Sequence, residues 1–391
     1  MGGYTFDNLP ISIDTFDRVI CDKNFLPEGE KILKVSYKEA KAYILDNYTT
    51  ENILYVVTGS PLFFSAGTLI AKQLPPQMVR LIDNTSSKQY MLSRCIVSEN
   101  DTGVLSIHGR AKIDLTQFLT RPYTLIVCDK ESIGKLQNAV QYLNPDDIEV
   151  TIGYKLGYKN ERIERIDISQ AEKHFDLSAP YVLLVKRLFT PMPPVSEDDT
   201  FATERGMITK QYKRHLSLQH LDLLPNMLLW DIGAGSGSCA IEAYKRYRVR
   251  TVLFEKQPQR CSFIKTNLST HHVCDTRLLE GNAETLFESI EEDPDRIFVG
   301  GGGERVIERL PYLYERLCDN GVMLINAITL KNLAQMITVL NMAKIDYRVI
   351  SLSLTTYKGA LDMIEPERQL FQIKIVKQCA PSYTQSCKEK V

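Results

Sequence analysis

At 391 residues the chain is longer than one hydrophobic core usually serves, so two domains are expected. Its 44% hydrophobic and 24% charged residues, with a mean hydropathy of -0.17, exclude disorder over most of its length. The balance of 47 Lys and Arg against 48 Asp and Glu excludes a global basic field that would draw in nucleic acid or an anionic membrane. Nine scattered cysteines without a C-x-x-C pair read as reduced thiols. No run approaches the ~18 apolar residues of a spanning helix, and the N-terminus carries no signal-peptide pattern. A cytoplasmic chain without a metal site is expected.

In chain order, the first half carries the apolar runs DRVIC (17–21), NILYVV (52–57), VRLI (79–82), GVLSIHG (103–109), YTLIVCD (123–129), EVTIGYKLG (149–157) and YVLLVKR (181–187), separated by helical patterns. Such alternation implies parallel sheets with crossover helices. Residues 188–206, LFTPMPPVSEDDTFATERG, bring three prolines, an acidic run and no apolar periodicity, and read as a linker. The second half continues with MLLWDIG (227–233), RTVLFEK (250–256), TRLLEG (276–281), RIFVGG (296–301) and GVMLINA (321–327), then YRVISLSL (347–354) and LFQIKIVK (370–377). Five βα units ending in two strands with no helix between them predict an antiparallel finish. The expected organisation is a first domain over 1–187, the linker, a second domain over 207–378 and a frayed tail over 379–391.

The turn Asp231-Ile232-Gly233-Ala234-Gly235-Ser236-Gly237 carries the chemistry. Glycines there let a strand turn sharply into a helix and let a ligand lie on the backbone. The spacing satisfies G-x-G-x-G, whereas the dinucleotide fingerprint G-x-G-x-x-G/A fails at Ser238. Glu255, at the end of the next strand, can accept two hydrogen bonds from ribose hydroxyls. The third strand ends at Gly281, Asn282 and Ala283, where an adenine edge could be read. These features in order are the pattern of a class I S-adenosylmethionine methyltransferase.

The residues carry a closer resemblance. ERGMITKQYKRHLSLQHLDLLPNMLLWDIGAGSGSCAIEA (204–243), with IFVGGGG and GVMLINAITLKN, resembles the decarboxylating methyltransferases of corrin biosynthesis over nearly all of 201–377. YVVTGSPLFFSAGTLI (55–70), IDNTSSKQYMLSR (82–94), LSIHGR (105–110) and IGYKLGYKNERIERI (152–166) resemble the C5 methylases of the same pathway, which are class III tetrapyrrole methylases. Together they resemble the fused precorrin-6Y C5,15-methyltransferase (decarboxylating) family. The resemblance implies an α/β protein. Its N-terminal tetrapyrrole-methylase (class III) domain would be followed by a C-terminal class I Rossmann-like domain with a mixed seven-stranded sheet. It further implies S-adenosyl-L-methionine as cofactor, methylation of a precorrin at C15 and C5, decarboxylation of the ring C acetate, and a homo-tetramer. Thr209 would contact the cofactor; Gly59, Ser60, Pro61, Thr85 and Ser86 would belong to a second cofactor site.

Three departures stand out. The chain opens at MGGYTFDN, where the family has an apolar strand and a G-x-G-P-G loop, so either the coding start lies further upstream or the first domain is expected to lack both. Ser60 replaces the aspartate of the family's G-D-P loop. Asp83-Asn84-Thr85 replaces Pro-Gly-Ile before the double serine.

Methyl transfer from a sulfonium to carbon is an in-line displacement that needs alignment and a dry pocket rather than a protein nucleophile. The substrate's conjugated macrocycle can itself take up the electrons left by departing carbon dioxide. No catalytic acid or base is assignable. Gly300, Gly301 and Gly302 end the fourth strand, where substrates enter α/β sheets. Asn326 either meets substrate or caps the following helix. A precorrin carries many carboxylates, which makes Lys210, Lys213, Arg214 and Lys331 candidate partners, each competing with a solvated-surface role. His108 could face the first domain's cleft or be a turn histidine. His271, His272 and Cys274 lack metal-ligand spacing. Two alternatives stay open: an RNA or small-molecule methyltransferase with an unrelated N-terminal module, and a C15 enzyme carrying a non-catalytic scaffold.

Overall fold

The computed structural model describes residues 10–21, 29–110, 113–191, 195–301, 303–358 and 363–378. The MGGYTFDN opening, Gly302 and the 379–391 tail lie outside them. Two compact units are present: one comprises 1–110, 123–132 and 150–186, the other 111–122, 133–149 and 187–391.

In the first unit, β1 (Arg18–Cys21), β2 (Ile32–Lys34) and β3 (Ile53–Val56) form a parallel sheet in the order β2-β1-β3. A second sheet has the order β4-β5-β8-β6-β7, built from β4 (Thr102–Ser106), β5 (Tyr123–Val127), β6 (Ile148–Tyr154), β7 (Arg162–Ile166) and β8 (Tyr181–Arg187). Here β4 and β5 are parallel, but β5–β8 and β6–β7 are antiparallel. The expectation of parallel sheets in this half is therefore corrected, because β6 and β7 are joined by a short turn that permits antiparallel pairing. VRLI also departs from expectation: 79–82 follows a 3-10 turn at Pro76–Met78 and enters no ladder.

The second unit holds a seven-stranded sheet in the order β11-β10-β9-β12-β13-β17-β14. Its strands are β9 (Leu228–Ile232), β10 (Arg250–Glu255), β11 (Thr276–Glu280), β12 (Arg296–Val299), β13 (Val322–Ala327), β14 (Arg348–Leu352) and β17 (Leu370–Val376). Five strands run parallel, and β17 inserts antiparallel between β13 and β14, which is the predicted mixed finish. A hairpin of β15 (Thr355–Lys358) and β16 (Met363–Pro366) precedes β17.

All five residues of β9 are buried, as a strand covered on both faces requires. Leu228, Trp230 and Ile232 point into one core, where Trp230 meets Phe254 edge-on at 5.4 Å and stacks on Phe287 at 6.1 Å. Leu229 points into the opposite core with Cys239, Ala243 and Phe298. Period-2 alternation sends Asp231 to the Leu229 side, beside the Ser238–Tyr247 helix.

The 188–206 segment is anchored where it is described. Ser196 N donates to Glu242 Oε1 at 2.9 Å, and Lys245 Nζ reaches Ser196 Oγ at 2.6 Å. Asn267 exchanges hydrogen bonds with the backbone of Ala202 at 2.7 and 2.9 Å. Phe189 stacks on His272 and Phe201 on His271, with ring centroids 4.1 and 4.5 Å apart. These contacts hold Phe189, Ser196, Phe201 and Ala202 against the rest of the second unit.

Candidate active site

Strand order reverses between β9 and β12, so a crevice opens at their carboxyl ends, the place where open α/β sheets bind ligands. Gly233, Gly235 and Gly237 all have positive φ, at 71°, 61° and 75°. They have different neighbours. A Cβ on Gly233 would stand 2.8 Å from Gly301 C, so that glycine is demanded by the protein's own chain. A Cβ on Gly237 would press on Leu253 and Ile264 at 3.3–3.4 Å. A Cβ on Gly235 would find only Gly233 O, at 4.0 Å, leaving its outer side free for a ligand. Gly237 begins the Ser238–Tyr247 helix with no side-chain cap.

Two carboxylates flank the turn. Glu255 Oε2 accepts from Gly235 N at 2.9 Å, and Oε1 accepts from Lys256 N and Gln257 N, both at 3.0 Å. Asp231 is 1% exposed, and neither of its oxygens has a hydrogen-bond partner of normal geometry. Burial, opposed in part by the backbone N–H of Ala240 and reinforced by the charge of Glu255, pushes its pKa up to about 7.

A cavity of ≈ 820 Å³ lies over this turn, within the usual range for small-molecule sites. Asp231, Gly233, Ala234, Gly235 and Ser236 line it, as do Thr209, Lys210, Lys213, Gly300 and Asn326. Gly237, Glu255, Asn282, Ala283 and Gly301 are not on its wall. Asn282 is exposed at the head of a short helix, and Ala283 is packed into the Trp230 core. Cys239 also lines the cavity, but burial pushes its thiol up to about 12, so it is no nucleophile.

Arg214 requires a correction. It is 0% exposed and donates to Asp198 Oδ1 at 3.0 Å and to the carbonyls of Thr209 and Ser196 at 2.7 Å, with Phe201 stacked 5.0 Å away. Buried on the inner face of the Gln211–His220 helix, it pins the 196–209 segment and cannot meet substrate. Asn326 does not cap the next helix: Thr329 does, accepting from Asn332 N. Asn326 Oδ1 instead accepts from the buried Gln372, which also binds Ser217 and His220. Lys331 is exposed on the Leu330–Met342 helix and off the cavity wall. The cavity also has a wall that sequence reasoning missed, Thr356 with 365–370, contributed by the hairpin and its exit into β17. Its two four-residue strands, TTYK and MIEP, gave no apolar run to detect.

In the first unit, Gly59 (φ 70°) turns the chain so that Ser60 Oγ donates to Asp83 Oδ1 at 2.5 Å. The two departures from the family pattern thus meet each other: the acid missing at 60 is present at 83. Thr85 and Ser86 lie next to it, Ser86 capping the Ser87–Cys95 helix through a reciprocal pair with Gln89. His108 is exposed, with Nδ1 3.2 Å from Cys128 O. Among the described residues no group of His, Cys, Asp and Glu is placed to hold a metal, and no helix is long and apolar enough to cross a membrane.

The sheet order, the crevice at its reversal and the glycine turn beneath an orphaned carboxylate define a class I methyltransferase fold. Residues 199–377 match the family described as "Precorrin methyltransferase domain", and 14–172 match "Tetrapyrrole (Corrin/Porphyrin) Methylases". The chain belongs to the precorrin methyltransferases. It is 27% identical over 292 residues to the precorrin-6Y C(5,15)-methyltransferase [decarboxylating] of a Sinorhizobium species, covering 71% of this chain and 68% of the relative. It is likewise 27% identical over 296 residues to the Mycobacterium tuberculosis protein of that name, covering 71% and 70%. A solved structure of the precorrin-6y C5,15-methyltransferase from Geobacter metallireducens is 33% identical, covering 47% of this chain and 98% of its own, with a TM-score of 0.45.

Proposed function

We propose that this chain methylates a precorrin at C15 with S-adenosyl-L-methionine and removes the carboxyl of the ring C acetate, and that its first unit methylates C5. The observation that carries the C15 assignment is the juxtaposition of an unpartnered, buried Asp231 with the ligand-free side of Gly235 on one cavity wall. The residues present fit a sulfonium amino acid: Asp231 would take its ammonium, and the Gly233–Ser236 backbone would lie along its chain. When bound, the cofactor supplies an electrophilic methyl group. Thr209 would close the cofactor end, and Gly300 and Asn326 would border the substrate end, where a flat macrocycle meets backbone without side-chain obstruction. Removal of water by these walls favours the displacement. Gly59, Ser60, Pro61, Thr85 and Ser86 are the proposed second cofactor site.

Calorimetric titration of S-adenosylhomocysteine into the full chain tests both halves. Two sites per chain support C15 and C5 activity. One site, abolished by Gly235→Val, would leave a C15 methyltransferase and decarboxylase on a scaffold. No binding would refute the assignment. A homo-oligomeric, cytoplasmic enzyme is part of the proposal, and light scattering checks the assembly.

A further inference from the structure

The basic groups on the cavity wall differ in what already neutralises them. Arg260 pairs with Glu204 at 3.0 Å, and Lys210 lies 3.6 Å from Asp198. Lys213 is nearly buried; its Nζ stands 2.9 Å from Glu367 Oε2 and donates to the carbonyl of Arg368 at 2.5 Å. Arg368 itself is exposed on the same wall, and no acidic group among the described residues pairs with its guanidinium.

Its backbone is fixed nonetheless. Glu367 N donates to Leu354 O at 2.9 Å, Gln369 Nε2 to Ser351 Oγ at 2.7 Å, and Lys213 holds the carbonyl between them. The topology places this loop where ligands bind. Because β17 runs antiparallel to β13, with Phe371 opposite Ala327, the residues leading into β17 stand at the carboxyl edge of the parallel strands, next to Asn326.

We infer that Arg368 anchors a carboxylate of the tetrapyrrole substrate, and that Lys213 is the positioning residue that presents it. A planar guanidinium accepts a carboxylate in a two-point grip that a surface ammonium cannot match. Lys213 acts through the backbone of its neighbour, its own charge being matched by Glu367. This inference rests on the proposed substrate class and goes beyond it by naming the contact.

The test uses the full chain with precorrin-6Y as substrate, read as KM and kcat for methyl transfer, with calorimetric S-adenosylhomocysteine binding as an independent measure of the folded cofactor site. R368Q should raise KM for the tetrapyrrole about tenfold, the usual effect of losing one charge-assisted hydrogen bond, and leave S-adenosylhomocysteine affinity unchanged. R368K should recover part of the loss. K213M should also raise KM, and the double variant K213M/R368Q should be no worse than R368Q alone, since the lysine acts through the arginine. An unchanged KM in R368Q overturns the inference, and fully additive losses in the double variant overturn the positioning role. A wild-type chain that binds S-adenosylhomocysteine but neither binds nor turns over precorrin-6Y overturns the substrate assignment and this inference with it, an outcome distinct from a silent R368Q.

Discussion

Asp231→Asn should make the ligand-free protein more stable and the cofactor complex weaker. In the folded state the carboxyl's pKa is raised from 3.8 to about 7 by burial. An acid whose folded pKa lies above its unfolded one destabilises the fold as pH rises: the unfolded chain ionises near 4, while the folded one holds its proton until about 7. The penalty grows between those values and is complete above 7, where a shift of this size corresponds to roughly 4 kcal/mol. An amide in the same place carries about the desolvation cost of the protonated acid, so the gain expected at pH 8 approaches roughly 4 kcal/mol and vanishes near pH 4. Binding moves the other way. Loss of a charged hydrogen bond to an ammonium costs about 1.5–3 kcal/mol, a weakening of roughly tenfold to a hundredfold. In the wild type, S-adenosylhomocysteine affinity should rise with pH from 5.5 to 7.5, by up to about tenfold per pH unit below 7, because the ligand selects the ionised carboxylate. Thermal unfolding at pH 5 and 8, with calorimetry across that range, measures both effects. A variant that binds like wild type, or a wild-type affinity flat in pH, would refute the role assigned to this acid.

Gly235→Ala and Gly233→Ala separate binding from folding. The first adds a methyl that meets no protein atom closer than 4.0 Å and costs about 1–2 kcal/mol for its positive φ, so it should fold but lose S-adenosylhomocysteine binding; the second collides with Gly301 at 2.8 Å and should lower the melting temperature sharply. Arg214→Met should destabilise the protein by about 2–4 kcal/mol in denaturant titration by stranding the Ser196 and Thr209 carbonyls, and unchanged stability would contradict its structural role. His271 is buried, and its pKa is lowered to about 4, chiefly by burial. Its folded pKa lies below the unfolded value near 6.5, so stability should be complete above 6.5 and fall by roughly 2–3 kcal/mol as pH drops toward 4, a slope that His271→Phe should reduce in pH-dependent unfolding.

The second unit was the more legible because its central strands β9, β10, β12 and β13 are buried on both faces and read as continuous apolar runs; MLLWDIG through LFQIKIVK each contain a strand of the observed sheet. The hairpin has no apolar run to mark it: Thr355, Thr356 and Glu365 are polar, and Tyr357 and Ile364 stand exposed. Arg214 shows a general limit of sequence patterns: a basic residue looks the same whether it faces solvent or is satisfied by the Thr209 and Ser196 carbonyls and Asp198, five to eighteen residues before it. VRLI failed differently. It has the composition of a strand, but tertiary pairing decides whether such a run joins a ladder.

The two acids of the turn also divide labour in a way that spacing alone does not reveal. A carboxylate offers about four acceptor sites, and Glu255 already uses three on Gly235, Lys256 and Gln257. One remains, so Glu255, off the cavity wall and shaping the turn, has room for at most one ribose hydroxyl, where its position in the sequence allowed two. Asp231 uses none. Isosteric Glu255→Gln is therefore no mild change: if the amide oxygen serves Lys256 and Gln257, its NH2 confronts the Gly235 N–H, donor against donor. The glycine turn should distort before any ligand arrives. The contrast with Asp231 makes a direct discrimination available, since Asp231→Asn should weaken binding in a stabilised protein and Glu255→Gln should weaken it in a destabilised one. If both variants shift stability in the same direction, the division between an acid that builds the turn and an acid that awaits the cofactor is wrong.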